Sequence, residues 1–133
     1  METTIKEKEG EKITTPKDVF KLLEKFKKEE KELFFVIYLN TQSIMKKAEI
    51  EFIGGWDTTI IDIKPILKKA LINTATRIIV AHNHPSGSLK FSKEDKETTR
   101  KLREGCKAIG MELLDHVLIS EEGFESMRET EEW

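Results

Sequence analysis

The sequence predicts an α/β domain in which a mixed β-sheet is covered by helices, with elements in the order α-β-β-α-β-α-β-β. Three observations carry this reading. Residues 33–39 (Leu-Phe-Phe-Val-Ile-Tyr-Leu) and 77–81 (Arg-Ile-Ile-Val-Ala) are short, β-rich apolar runs, as expected of strands buried on both faces. Stretches beginning near Thr15, Asp62 and Ser92 instead combine a capping residue with helical patterning. Strand and helix patterns alternate along the chain, the arrangement that packs helices against a sheet.

Taken in order, residues 1–14 are charged and without periodicity, so a flexible lead-in is expected there, followed by a single domain over 15–133. Thr15-Pro16-Lys17-Asp18 is a helix start, with Thr as N-cap, Pro at the first helical position and an acid at the third. Val19, Phe20, Leu22, Leu23 and Phe26 follow as one apolar stripe, and Lys27 to Glu32 is expected as a solvated helix end. Residues 33–39 form a central strand. A turn at 40–43 leads to a second strand over 44–53, paired antiparallel to the first and ended by Gly54-Gly55. Asp62 is expected to cap a second helix that buries Ile63, Ile66, Leu67, Ala70 and Leu71, with Pro65 tolerated in its first turn. The strand at 77–81 runs directly into His82. Ser92 opens a third helix to about Ile109, stopped by Gly110. Strands over 112–120 and 124–127, joined by a turn, complete the order.

Composition excludes several classes. Lys+Arg 23 against Asp+Glu 25 gives a net charge of -2, no global case for a nucleic-acid coat. One cysteine, Cys106, permits neither an internal disulfide framework nor a Cys-rich zinc cage and suits a reducing compartment. The first twelve residues hold no apolar signal region, and no apolar run is long enough to span a bilayer, so a cytoplasmic protein with no membrane role is expected.

The chemistry concentrates in residues 82–95. Side chains at i and i+2 of an extended chain share a side. His82 and His84 therefore sit together, about 6–7 Å apart at the backbone, close enough for two ring nitrogens to reach one ion. Pro85 ends the strand, and Ser86-Gly87-Ser88 lets the chain fold back to present Asp95 as third ligand from the first turn of the next helix. Two neutral imidazoles and a carboxylate leave one position of a tetrahedral zinc open for water, the ligand set of a catalytic site. Such an ion lowers the pKa of water towards ~7. Hydrolysis also needs a base. Glu32 stands where the charged helix end meets the first strand, but composition does not separate it from Glu29, Glu30 or the other acids. Ser92-x-x-Asp95 is spaced as a capping pair, and Ser92 can act in catalysis as well only if its side chain serves both roles. His116, in an interior strand context, reads as a structural histidine, with support of the metal ligands as the other reading. Cys106 reads as packing. Trp56 and Asp57 read as an ordinary loop, with lining of a substrate groove as the alternative.

Together these residues resemble the JAMM motif of the JAB/MPN metal-dependent hydrolases: an upstream glutamate, His-x-His-Pro, and ten residues later an Asp with Ser three before it. The string Ala81-His82-Asn83-His84-Pro85-Ser86-Gly87 is similar to the hallmark of the RadC-like branch. Glu32-Leu33-Phe34, Lys69-Ala70-Leu71 and Asp115-His116 resemble its flanking signatures, and the likeness covers roughly 15–130. The resemblance implies a JAB/MPN fold with a cytidine-deaminase-like layout and one Zn2+ per chain on His82, His84 and Asp95. It also implies Glu32 as general acid/base and Ser92 as a stabiliser of the oxyanion. The chain departs from the branch at Leu89 and Phe91, where prolines are usual, at Gly54-Gly55 and at Ile63-Lys64-Pro65. Full-length members carry an N-terminal helix-hairpin-helix module, for which 133 residues leave no room, so the family's DNA-repair label is not carried over.

The leading expectation is a zinc hydrolase of amide or isopeptide-like bonds in a peptide substrate. The alternative is a DNA-repair-associated module that binds DNA or cleaves phosphodiesters, with Lys64, Lys68, Lys69, Arg77 and Lys90 as candidate contacts. Nucleobase deamination is set aside, since it requires His-x-Glu with Pro-Cys-x-x-Cys.

Overall fold

In the computed structural model, residues 3–6, 9–54, 61–130 and 133 are described. Gly55, Trp56 and Asp57 lie outside them, so the groove reading for that loop is not addressed. A six-stranded mixed sheet runs through the domain with helices on both faces. The elements are β1 (Thr4–Ile5), α1 (Pro16–Leu23), β2 (Leu33–Leu39), β3 (Met45–Ile53), α2 (Lys64–Ile72), β4 (Arg77–Asn83), α3 (Lys93–Ala108), β5 (Glu112–Ser120) and β6 (Gly123–Ser126). From α1 onward the order is the expected one.

The sheet order is β1-β3-β2-β4-β5-β6. β2 is central and all seven of its residues are buried. Its alternate side chains serve opposite layers, which is why no polar residue interrupts it. Leu33, Phe35, Ile37 and Leu39 join Val19, Leu22 and Leu23 of α1 on one face. Phe34, Val36 and Tyr38 join Ile66 and Ala70 of α2 and Leu102 and Cys106 of α3 on the other. Each fully buried large side chain contributes roughly 1.5–3 kcal/mol.

Several details depart from expectation, among them Leu71, expected on the buried face of α2 but 58% exposed. The charged lead-in contributes a strand: Thr4 and Ile5 pair with Glu49 and Ala48 of β3, and Ile5 and Ile13 are buried. The backbone pairing of Thr4 and Ile5 covers part of the sheet edge that β3 would otherwise leave open. The first helix ends at Leu23 and tightens into a 3₁₀ turn at Glu24–Phe26, placing Phe26 against Phe35 with ring centroids 5.2 Å apart. Residues 27–32 are consequently a turn-rich approach to β2 rather than a helix end. Asp62 accepts the Lys64 amide at 2.9 Å, so its carboxylate bonds two residues on, just before α2, whose N-cap is Ile63.

Strand direction sets the position of the site. β4 is antiparallel to β2 and parallel to β5, with α3 as the crossover. The C-terminal ends of β4 and β5, the start of β2 and the N-terminus of α3 therefore meet at one end of the sheet.

Candidate metal centre

His82 is the second-last residue of β4, and the His84 amide extends the ladder by donating to Ile119 O at 3.0 Å. The extended geometry puts both imidazoles on the face that α3 covers. Their Nε2 atoms lie 3.0 Å apart. The turn after Pro85 closes through the Gly87 amide on His84 O, with Gly87 at φ +85°, a conformation that suits glycine. It brings Ser88 O to 3.1 Å from His84 Nδ1. A carbonyl only accepts, so His84 is protonated on Nδ1 and its Nε2 presents a lone pair.

The third donor comes from the helix. Ser92 is the N-cap of α3, accepting the Asp95 amide at 3.0 Å while Asp95 Oδ2 accepts the Ser92 amide at 2.8 Å. This reciprocal box orients the Asp95 carboxylate. The same Oδ2 lies 3.4 Å from His82 Nε2 and 3.8 Å from His84 Nε2. A tetrahedral ion with bonds of about 2.0–2.1 Å separates its ligands by about 3.4 Å. The three observed separations straddle that value, and the donor set fits a divalent ion. Among the described residues this is the one group of three with donors close enough, all within 4.8 Å of one another.

Electrostatics agree. Burial pushes Asp95 upward, but the hydrogen bonds its carboxylate accepts, the Ser92 amide's among them, outweigh it and hold the carboxyl well below its usual range. Asp95 is therefore ionised at neutral pH although almost wholly buried. Burial, followed by the neighbouring His82, lowers the pKa of His84, and the same causes hold His116 well below the usual imidazole range. Neutral imidazoles are what a metal requires.

The β2–β4 register brings in Glu32. The β2–β4 ladder ends at Phe34 and His82, and Glu32 lies two residues before Phe34 as His84 lies two after His82. The Glu32 charge acts on His84, raising its pKa against the two larger causes. Ser92 serves as a cap through an oxygen lone pair, which leaves its hydroxyl proton available to donate. The two roles are chemically compatible.

A model of the RadC-like JAB domain matches residues 13–133. The chain belongs to the RadC-like JAB domain family. It is 36% identical over 127 residues to a UPF0758 protein of Methanosarcina mazei and 38% identical over 127 residues to one of Halalkalibacterium halodurans, covering 95% of this chain in each case. A UPF0758 protein of Clostridium botulinum is 40% identical over 119 residues, 89% of this chain. The matches take in 56%, 55% and 52% of those relatives, so the chain spans about half their length.

Within this RadC-like domain two polar residues gain parts that spacing did not assign. Asn83, fully buried between the two histidines, points to the opposite face. Its Oδ1 accepts the Leu33 amide at 2.6 Å, and its Nδ2 donates to Glu29 O at 3.2 Å and Lys31 O at 3.0 Å. It grips the backbone on both sides of Glu32, while the Gly54 amide donates to Glu32 O at 2.6 Å. A polar residue at an apolar-facing strand position was the available signal. His116 is the other: it lies 2.7 Å from His82, behind the ligands rather than among them. Phe91, a departure from the family's proline-bearing loop, packs its ring 6.3 Å from His82 and 5.4 Å from His116, screening that contact.

Proposed function

We propose that the domain is a zinc-dependent hydrolase of the JAMM type, acting on an amide or isopeptide-like bond. The observation that carries this is the convergence of His82 Nε2, His84 Nε2 and Asp95 Oδ2, supported by the Glu32 charge acting on His84. Those three atoms would hold the ion. When bound, zinc supplies Lewis acidity, polarising a carbonyl and lowering the pKa of water towards ~7.

The chain's own residues supply the rest. Glu32 takes the proton of the attacking water and returns it to the leaving amine, a transfer that needs its carboxylate held beside His84. The Asn83 grip does that holding. The Ser92 hydroxyl donates to the oxygen that gains charge during attack. Asp95, kept ionised, and His84, kept neutral with its Nδ1–H on Ser88 O, maintain the donor set.

Charge around the site favours an amide over a phosphodiester. His84 opens onto a cleft of about 350 Å³ whose lining includes Glu29, Glu30, Glu121 and Glu122 against Lys27 and Lys28. A polyanion would meet a net negative wall there. Among the described residues no helix is long and apolar enough to cross a membrane, and the lone cysteine suits a reducing, cytoplasmic setting.

The test is elemental analysis of purified protein beside variants. Wild type is expected to carry one zinc per chain, His84→Ala and Asp95→Ala to lose it, and Glu32→Gln to keep zinc while losing hydrolysis of an isopeptide-linked lysine reporter. Wild-type zinc content in both ligand variants would refute the assignment.

A further inference from the structure

The hydrogen bonds behind His82 can be assigned proton by proton because they end on a backbone carbonyl. Thr99 Oγ1 lies 2.7 Å from Asp95 O. The carbonyl has no proton, so the Thr99 hydroxyl must donate. That spends its single proton, and Thr99 Oγ1 can only accept from His116 Nδ1, 2.6 Å away. His116 is 1% exposed, and no carboxylate among the described residues hydrogen-bonds its ring. An unpaired buried imidazolium is prohibitively costly, so the ring carries one proton, on Nδ1. Its Nε2 is then an acceptor, and the partner 2.7 Å away, His82 Nδ1, must donate to it. His82 is left with a bare Nε2 facing His84 and Asp95.

We propose that His116 and Thr99 are positioning residues that lock His82 in the Nδ1–H form and thereby deliver its Nε2 lone pair to the cation. The inference rests on the metal reading of the site. The chain of bonds also ties the ligands together, since it runs from His82 on β4 through His116 on β5 to Thr99 and Asp95 on α3. A ligand on the sheet and a ligand on the helix are thus held in one frame. Phe34 and Phe91, with ring centroids 5.9 and 5.4 Å from His116, flank the relay with apolar surface and limit competition from water. Partners of this kind, donating or accepting behind a metal-bound imidazole, typically change metal affinity 10- to 100-fold when removed.

The test pairs zinc affinity, measured by chelator competition, with the protonation pattern of the His82 ring read by long-range ¹H–¹⁵N NMR. His116→Phe keeps ring bulk but offers no acceptor, and is expected to weaken zinc binding about 10- to 100-fold. His116→Gln can place an amide oxygen near the position of Nε2 and is expected to recover much of that loss. Should the His116 variants fail to fold, the isosteric Thr99→Val removes the hydroxyl alone and Thr99→Ser restores it. Thr99→Val is expected to convert the single Nδ1–H pattern of His82 into a mixture, with a weaker zinc site, and Thr99→Ser to return both. The proposal is overturned if wild-type His82 carries its proton on Nε2 in the zinc-loaded protein, or if folded Thr99→Val keeps both wild-type affinity and a pure Nδ1–H pattern. If wild type binds no zinc, the metal reading fails separately, and the relay stands or falls on the His82 pattern of the metal-free protein.

Discussion

Replacing Asn83 with alanine tests whether the residue between the two histidines holds Glu32, the proposed acid/base, in place. The truncation removes three hydrogen bonds at once. The Leu33 amide is left inside the core with no replacement, at roughly 1–3 kcal/mol for a buried unsatisfied donor. The Glu29 and Lys31 carbonyls lie nearer the surface and can turn to water, at roughly 0.5–1.5 kcal/mol each. The expected loss is roughly 2–6 kcal/mol, measured by urea unfolding of the metal-free protein. Asn40→Ala is the control. Its Oδ1 accepts the Gln42 and Ile44 amides at 2.8 and 3.0 Å, but in a largely exposed turn, where removal should cost about 1 kcal/mol. Zinc content should survive in Asn83→Ala, because none of the three proposed metal donors bonds to Asn83, while turnover should fall as is expected of Glu32→Gln. An Asn83→Ala protein no less stable than Asn40→Ala, or one that loses zinc but keeps its residual turnover per bound ion, would sink the argument.

Two further predictions concern single groups. Asp18 accepts the Thr14 and Thr15 amides at 3.0 and 3.1 Å, and those bonds, the Thr14 amide foremost, hold its pKa below the ordinary aspartate value of 3.8. Its contribution is complete above that value and disappears as pH falls through the lowered one. Asp18→Ala should therefore cost about 1 kcal/mol at pH 7, with a smaller difference from wild type in strong acid; an equal difference at both pH values in urea unfolding would contradict this. Cys106 is fully buried, and burial pushes its thiol up to about 11. Ellman's reagent should leave the native protein untouched and label it fully once unfolded, so rapid native labelling would show that α3 opens or that the packing is wrong.

Most of the fold is legible because its signals are local. Short apolar runs and period-3.6 patterns identify the central strands and the helices from α1 onward, and the two capping boxes, Thr15–Asp18 and Ser92–Asp95, mark helix starts within one residue. What escapes is whatever depends on distant partners. Ile5 and Ile13 are single apolar residues in a charged run, and only the edge of β3 gives them a place to be buried. The end of α1 depends on Phe26 meeting Phe35, a contact with no trace in residues 15–32 alone.

The site divides along the same line. His82 and His84 are readable because the strand's two-residue period puts them together, and Asp95 because the box with Ser92 places it at a helix start pointing back to the strand end. Glu32 is not readable from its surroundings, for what separates it from Glu29 and Glu30 is that its charge acts on His84, a relation created by pairing strands some fifty residues apart. Asn83 and His116 show the reason most clearly. Both sit in apolar strands, where a polar side chain is costly unless fully bonded. Their partners, the 29–33 backbone for one and Thr99 for the other, come from different elements. A buried polar residue in such a strand therefore signals that a partner exists without saying which. When two such residues accompany a His-x-His pair, one on each face, the economical explanation is that both serve it: Asn83 fixes the group that would move protons, and His116 fixes the atom that would bind the ion.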